Sequence, residues 1–235
     1  TRALALDVTN ENIIVAGGGS GGMWRSENSG LSWSRASHPS AINSVTCVAQ
    51  DIRSGKENIW YHGTGELRGN STRAEGAPYR GDGIFKSTDG AKSWDILPST
   101  TSGKEAEFNS AFNYVWNVTT NPTRSDVDEV YAAVYGGIIR SQDGGNSWQT
   151  VLGSNLINRP DGTDLNQSGA SFYTNIMITP SGTLYATLSV FTALGNNVNN
   201  KGVFRSTNGI NWTNITPAGF ARLHQRIVMD YAPSN

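Results

Sequence analysis

Gly137-Ile138-Ile139-Arg140-Ser141-Gln142-Asp143-Gly144-Gly145-Asn146-Ser147-Trp148 reads as a strand, a tight turn and the start of a returning strand. Ile138 to Arg140 are bulky residues suited to a pleated, half-buried surface. Ser141 and Asp143 have short oxygen-bearing side chains that can bind amides inside the turn. Gly144 and Gly145 adopt positive φ without steric cost. Trp148 then brings a large apolar surface into the returning strand, where it dominates local packing. The pattern Ser-x-Asp-x-Gly-x-x-Trp is therefore a folding signal and not a catalytic one.

The same unit recurs three more times. Ser26, Asn28, Gly30 and Trp33 form one copy, with Asn in place of Asp; Ser87, Asp89 and Trp94 form another, with Ala91 where Gly145 stands. Ser206, Asn208 and Trp212 form a copy shortened by one residue. By subtraction, the serines at 26, 87, 141 and 206 are 61, 54 and 65 residues apart. Similar incoming strands precede them: Gly22-Met23-Trp24-Arg25, Gly83-Ile84-Phe85-Lys86, Gly137-Ile138-Ile139-Arg140 and Gly202-Val203-Phe204-Arg205. Repeats of this length, each with several short strands, point to a propeller or solenoid.

These turns resemble the Asp-box (bacterial neuraminidase, BNR) repeats of sialidases, sortilin-type receptors, xyloglucan-cleaving glycosidases and photosystem assembly factors. The resemblance covers essentially the whole chain. It implies that each turn joins the third and fourth strands of a four-stranded antiparallel propeller blade. Activity does not follow from it, because one fold hosts enzymes, receptors and assembly factors alike.

The bulk properties fit a globular all-β protein. The chain has 235 residues with 37% apolar content, enough for a sizeable core, and a formal charge of −1. No basic footprint argues for nucleic acid, and no apolar run approaches the roughly 20 residues that insert into a bilayer. The opening residues do not read as a signal peptide. One cysteine, Cys47, excludes an internal disulfide, and its apolar neighbours predict an inert buried thiol.

Taken in order, the first blade reads as strands at 3–8, 13–16, 23–26 and 32–36. The second reads as 44–49, 59–63, 84–87 and 93–97, and the third as 114–119, 129–135, 138–141 and 147–152. The fourth reads as 173–179, 183–189, 203–206 and 212–215. Blade boundaries fall near 1–38, 39–99, 100–153 and 154–219. Residues 220–235 read as the start of a fifth blade, beginning with its first strand. Since propellers close so that no edge is left unpaired, the expectation is an incomplete ring whose remaining blades lie in a longer chain.

The long insertions, 66–81, 99–113, 153–171 and 190–201, follow second or fourth strands and so belong to one face. Loops on a rigid scaffold carry function, and the expected site is on that face. Its best candidate is the loop opened by Glu66 and closed by Asp82, with Arg68, Tyr79 and Arg80 between them. Two carboxylates at one loop base are what glycoside hydrolysis requires, and Tyr79 with the arginines would contact a sugar. The plainer account is that Asp82 and Arg80 brace a long loop.

Other motifs carry less. Gly17 to Gly22 matches both a dinucleotide and an esterase pattern, yet both need a helix next, and Met23-Trp24-Arg25 reads as a strand. Arg80-Gly81-Asp82 spells an adhesion tripeptide at a strand entrance. His38, His62 and His224 are scattered without ligand spacing, so no metal site is expected. The oxygen-rich 161–166 stretch does not fit the full EF-hand pattern. Asn-x-Ser/Thr matches at Asn70, Asn117, Asn166, Asn211 and Asn214 include one in an inner strand and one in a turn, which argues against a heavily glycosylated ectodomain.

The Phe/Tyr-Arg-Ile-Pro motif of sialidases is absent, and the start does not resemble the xyloglucan-cleaving enzymes where their catalytic aspartate lies. The runs 60–66 and 79–85 look like those of large exported bacterial proteins, many with type IX secretion domains. The expectation is a non-enzymatic extracellular or cell-surface module binding protein or carbohydrate on its long-loop face, without cofactor. The alternative is a glycoside hydrolase using Glu66 or Asp82 with residues from further blades. A third is a component of a larger assembly.

Overall fold

The computed structural model describes residues 1–41, 44–66, 79, 81–103, 110–154, 173–189, 201–220 and 226–232. Among these residues sixteen strands form four antiparallel four-stranded sheets, each built from four consecutive strands. The first holds β1 (Ala3–Leu6), β2 (Ile14–Gly18), β3 (Gly22–Ser26) and β4 (Ser34–Arg35). The second holds β5 (Val45–Gln50), β6 (Trp60–Thr64), β7 (Ile84–Ser87) and β8 (Asp95–Ile96). The third holds β9 (Val115–Thr120), β10 (Val130–Val134), β11 (Gly137–Ser141) and β12 (Gln149–Gly153). The fourth holds β13 (Tyr173–Ile178), β14 (Leu184–Ser189), β15 (Gly202–Ser206) and β16 (Thr213–Asn214). These are blades of a β-propeller, and the incomplete ring expected from the sequence agrees with them. Among the described residues the only helical element is the short 3-10 turn Ala111–Asn113.

Alternation along the strands builds a separate core between each pair of neighbouring blades. Ala3, Val15 and Met23 of the first sheet pack with Val45, Trp60 and Phe85 of the second. Cys47, Tyr61 and Ile84 meet Val118, Ala132 and Ile139 of the third. Tyr131, Ala133 and Ile138 meet Ile176, Ala186 and Phe204 of the fourth. Threonines tie the sheets at their inner strands: Thr174 Oγ1 donates to the Val134 carbonyl at 2.8 Å, and Thr120 Oγ1 to that of Gln50 at 3.1 Å.

The recurrent turn explains why each third strand reverses where it does. Ser141 Oγ donates to Asp143 Oδ1 at 2.7 Å and accepts from the Gly145 amide at 2.8 Å. Asp143 then accepts from the Ser147 amide at 2.9 Å and the Ser147 hydroxyl at 2.6 Å. Ser87, Asp89 and Ser93 repeat this arrangement, as do Ser26, Asn28 and Ser32 with an amide in place of the carboxylate. In the shortened copy Asn208 Oδ1 accepts from the amides of Ile210 and Asn211 instead. Hydrogen bonds from Ser147 hold the Asp143 carboxyl below the usual range against the opposing effect of its burial, which is the larger single influence.

Because Asn28 and Asn208 do the same work in two copies, Asp143→Asn is expected to cost under about 1 kcal/mol. Asp143→Ala strands three donors and is expected to cost about 1–3 kcal/mol. Denaturant midpoints of the two variants check this; equal losses would contradict it.

The structure departs from the sequence expectation in two places, the outer strands and residues 226–232. The outer strands β4, β8 and β16 span two residues each, not four or five. Each is a blade edge with a neighbour on one side only. As the sequence reading expected, the Gly-rich 17–22 segment is a hairpin link between β2 and β3, with Gly22 at φ 71°, so neither helix-dependent motif applies. Residues 226–232 carry no strand, although the sequence reads as one there.

Candidate functional site

β6 runs outward from Trp60 and ends at Thr64, and the long insertion begins where Gly65 turns the chain with φ 95°. Glu66 and Tyr79 close the base of that insertion as an antiparallel pair. The Glu66 amide donates to the Tyr79 carbonyl at 2.6 Å, and the Tyr79 amide donates back at 2.7 Å. The chain then re-enters through Gly81 and Asp82. The Gly81 amide donates to the Asn113 carbonyl at 3.0 Å, and Asn113 Nδ2 donates to the Gly81 carbonyl at 2.9 Å. The Gly83 amide donates to the Phe112 carbonyl at 3.1 Å. Two of the long insertions, 66–81 and 99–113, are therefore knitted together at their bases.

Glu66 is buried, and its Oε2 accepts from Arg2 Nη1 at 2.6 Å and from Arg226 Nη1 at 3.2 Å. Both arginines immediately precede an axial segment, β1 in one case and Ile227 in the other. They flank a recess of about 220 Å³ that the inner strands line with Leu4, Thr46, Asn117 and Asn175. Asn117 Nδ2 donates to the Ile176 carbonyl at 2.8 Å and to Asn175 Oδ1 at 3.3 Å, so this amide is an inter-blade tie.

Asp82 is also buried and faces other partners. Its Oδ2 accepts from the Thr101 hydroxyl and its Oδ1 from the Ser102 amide at 3.0 Å, while its own amide donates to Thr64 Oγ1 at 3.0 Å. The two carboxylates thus frame one loop base but are committed to separate partner sets. Tyr79 is 39% exposed, the one described member of the proposed set with a side chain open to a ligand. Arg68 and Arg80 lie outside the described residues, as do His224, Asn70, Asn166 and the 161–166 stretch. Gly81 and Asp82 are both buried, so this part of the adhesion tripeptide is not displayed.

Sequence reasoning missed Arg2 and Arg226. The signal available was positional: Arg2 stands just before, and Arg226 within, a residue run that reads as an innermost strand, so both side chains start at the axis. Asn113 and Thr101, which lock the second insertion to the first, had no sequence signal beyond being polar residues in a loop.

Two titratable side chains of the core, Cys47 and His62, are kept neutral by burial. Burial raises the Cys47 thiol to about 11, and lowers the His62 imidazole to about 3. Among the described residues no group of three or more His, Cys, Asp or Glu side chains is placed to hold a metal ion.

No family model matches the chain, and no curated protein matches it. Solved structures do. An ancestral GH74 enzyme is 22% identical with TM-score 0.57, over 92% of this chain and 24% of its own. The GH74 xyloglucanase from Xanthomonas campestris is 15% identical with TM-score 0.57, over 91% and 29%. An auxiliary nutrient binding protein from Bacteroides thetaiotaomicron is 13% identical with TM-score 0.52, over 91% and 40%. The chain therefore spans well under half the length of these proteins, and the likeness is one of fold.

Proposed function

We propose that this chain is part of an exported bacterial propeller of the Asp-box class. Its role is that of a non-enzymatic extracellular or cell-surface binding module, which takes a protein segment or a carbohydrate on its long-loop face. The observation that carries the reading is the commitment of both candidate carboxylates. Glu66 is clamped by Arg2 and Arg226, and Asp82 by Thr101 and Ser102, so each holds the scaffold together. A glycosidase needs two carboxyl groups facing a common substrate, one to protonate the leaving oxygen and one to act as nucleophile or base. Tyr79 offers the amphipathic ring that both peptide and sugar recognition use. The nutrient binding protein among the similar structures is a precedent for a binding role on this fold.

The test combines calorimetric titration of gluco- and xylo-oligosaccharides and of extended peptides with a fluorogenic glycoside assay. Binding without turnover is expected, weakened about tenfold or more by Tyr79→Ala, the loss of one well-placed aromatic contact. Turnover that disappears in Glu66→Gln or Asp82→Asn would replace this reading with the glycoside hydrolase.

A further inference from the structure

We infer that the outer face of the fourth blade is built to seat a further blade of the same repeat class. Arg205 would donate to the backbone carbonyl of that blade's recurrent turn. The inference does not depend on the binding role proposed above.

Two of the three internal interfaces show how one blade grips the next. The residue before the turn serine is a cation in every copy: Arg25, Lys86, Arg140 and Arg205. Arg25 Nε reaches across to the Gly90 carbonyl in the second blade's turn at 2.9 Å. Lys86 Nζ reaches the Gly144 carbonyl in the third blade's turn at 3.1 Å. Gly90 and Gly144 hold the same place, three residues after the turn serine, and positive φ there points the carbonyl at the preceding blade.

The third interface explains itself by one substitution. Arg140 is diverted to Glu129, its Nε donating to Oε1 at 2.8 Å. Glu129 immediately precedes Val130, which pairs with the turn serine Ser141. The counterparts of Glu129 in the first and second blades are Ile13 and Ile59, beside Ile14–Ser26 and Trp60–Ser87. With no acid at that strand position the cation reaches across the gap, and Arg25 does so through Nε while its Nη1 pairs with Glu27 of its own turn. In the fourth blade that place is Thr183, beside Leu184–Ser206, so Arg205 belongs with Arg25 and Lys86.

Arg205 is also prepared in the same way as Lys86 and Arg140, whereas Arg25 stands opposite Val15. Arg205 sits directly opposite Tyr185, as Lys86 sits opposite Tyr61 and Arg140 opposite Tyr131. Lys86 Nζ lies 5.3 Å from the Tyr61 ring centre, and the Arg140 guanidinium 6.0 Å from that of Tyr131. Tyr61 and Tyr131 are fully buried and Arg25 and Arg140 nearly so, whereas Arg205 is exposed and Tyr185 half-buried. Among the described residues the Arg205 guanidinium has no hydrogen bond and no ion pair. An arginine and a tyrosine placed for an inter-blade grip stand without the turn they would grip.

The occupant follows from what already lies on this face. Thr187, two residues from Tyr185 and on the same side of the sheet, donates to the Ile227 carbonyl at 3.4 Å. Arg226 and Val228 line the axial recess beside the inner strands of the four blades. Residues 226–232 thus hold the place of the next blade's innermost strand. The segment thereby stands where a second copy's first strand would have to lie, and the occupant we infer is the remaining strands of a blade whose innermost segment it supplies.

The experiment compares the 235-residue chain with the same chain extended beyond Ala232 by a copy of residues 122–153, which supply a loop, three strands and one turn. Arginine reactivity toward p-hydroxyphenylglyoxal is read by mass spectrometry at each site. In the unextended chain Arg205 reacts fast while Arg25 and Arg140 are protected. In the extended chain Arg205 slows about tenfold or more, the factor a hydrogen bond to a charged group implies. Equal reactivity of Arg205 in both chains overturns the inference. A second measurement uses melting: Arg25→Met lowers the transition of the unextended chain, and Arg205→Met does so only in the extended one. A loss from Arg205→Met in the unextended chain, or sedimentation showing self-association that protects Arg205, assigns the face to another partner and overturns the inference.

Discussion

Gly65→Ala is expected to lower stability by about 3–5 kcal/mol, summing a left-handed backbone penalty with a steric clash against rigid backbone. Gly65 has φ 95°, and a Cβ there would lie 1.8 Å from the Asn113 carbonyl oxygen and 2.8 Å from the Gly81 amide nitrogen. Neither neighbour is the flexible end of a side chain. Relief would have to break the Gly81–Asn113 hydrogen bonds that tie the two long insertions together. Gly55→Ala is the matched control: its φ is 81° but nothing lies within 4 Å of the added methyl. It is expected to cost about 1–2 kcal/mol, the backbone penalty alone. Denaturant midpoints separate the two, and near-equal losses would show that the loop base is not packed as described. Gly65→Ala is further expected to abolish ligand binding under conditions where the blades remain folded, because Glu66 and Tyr79 depend on this turn.

The second large effect is acid sensitivity traced to one imidazole. His62 is fully buried in the second blade. It stacks on Phe85 with ring centres 4.7 Å apart and meets Trp94 edge-on at 4.7 Å. Burial lowers its pKa to about 3 from an ordinary value of 6.5. With the folded value depressed, the unfolded chain takes up the proton first as the pH falls. The stability linked to His62 is therefore complete above pH 6.5 and is lost progressively toward pH 3. By pH 5 the loss is about 2 kcal/mol, at roughly 1.4 kcal/mol per pH unit below the unfolded value. Between pH 6.5 and 5 this should dominate, since Asp89 and Asp143, whose carboxyls are held low by the turn hydrogen bonds, contribute only in more acid solution. His62→Phe keeps an aromatic ring on Phe85 and removes the titration. The melting temperature of this variant should be flat across that window while the parent's falls. Parallel slopes would place the acid sensitivity elsewhere.

The fold was readable because its signals are local. Ser141, Asp143 and Trp148 are close in sequence, Ser141 and Asp143 bond one another directly, and the pattern returns in three other places. Strand interiors such as 115–120 and 173–178 alternate plainly enough to be placed within a residue. What escaped depends on distance in the chain. Arg226 meets Glu66 across 160 residues, and Arg2 meets it across 64. Nothing near either arginine announces the axis it points to. His62 looked like an isolated imidazole, and its burial follows from Phe85 and Trp94, which approach only once β6 and β7 pair. The candidate carboxylates were identified by type and position in the chain. Their commitment to Arg2, Arg226, Thr101 and Ser102 is a property of the assembled loop bases.

Thermal melting of Glu66→Gln bears most directly on whether this carboxylate holds the propeller axis together. A clamped carboxylate loses two charge-assisted hydrogen bonds when neutralised, a cost of about 1–3 kcal/mol. The transition should therefore fall by several degrees, at about 2–4 °C per kcal/mol for a chain of this size. An unchanged or raised melting temperature would contradict the account, because it would mark Glu66 as a strained functional acid and not a structural one.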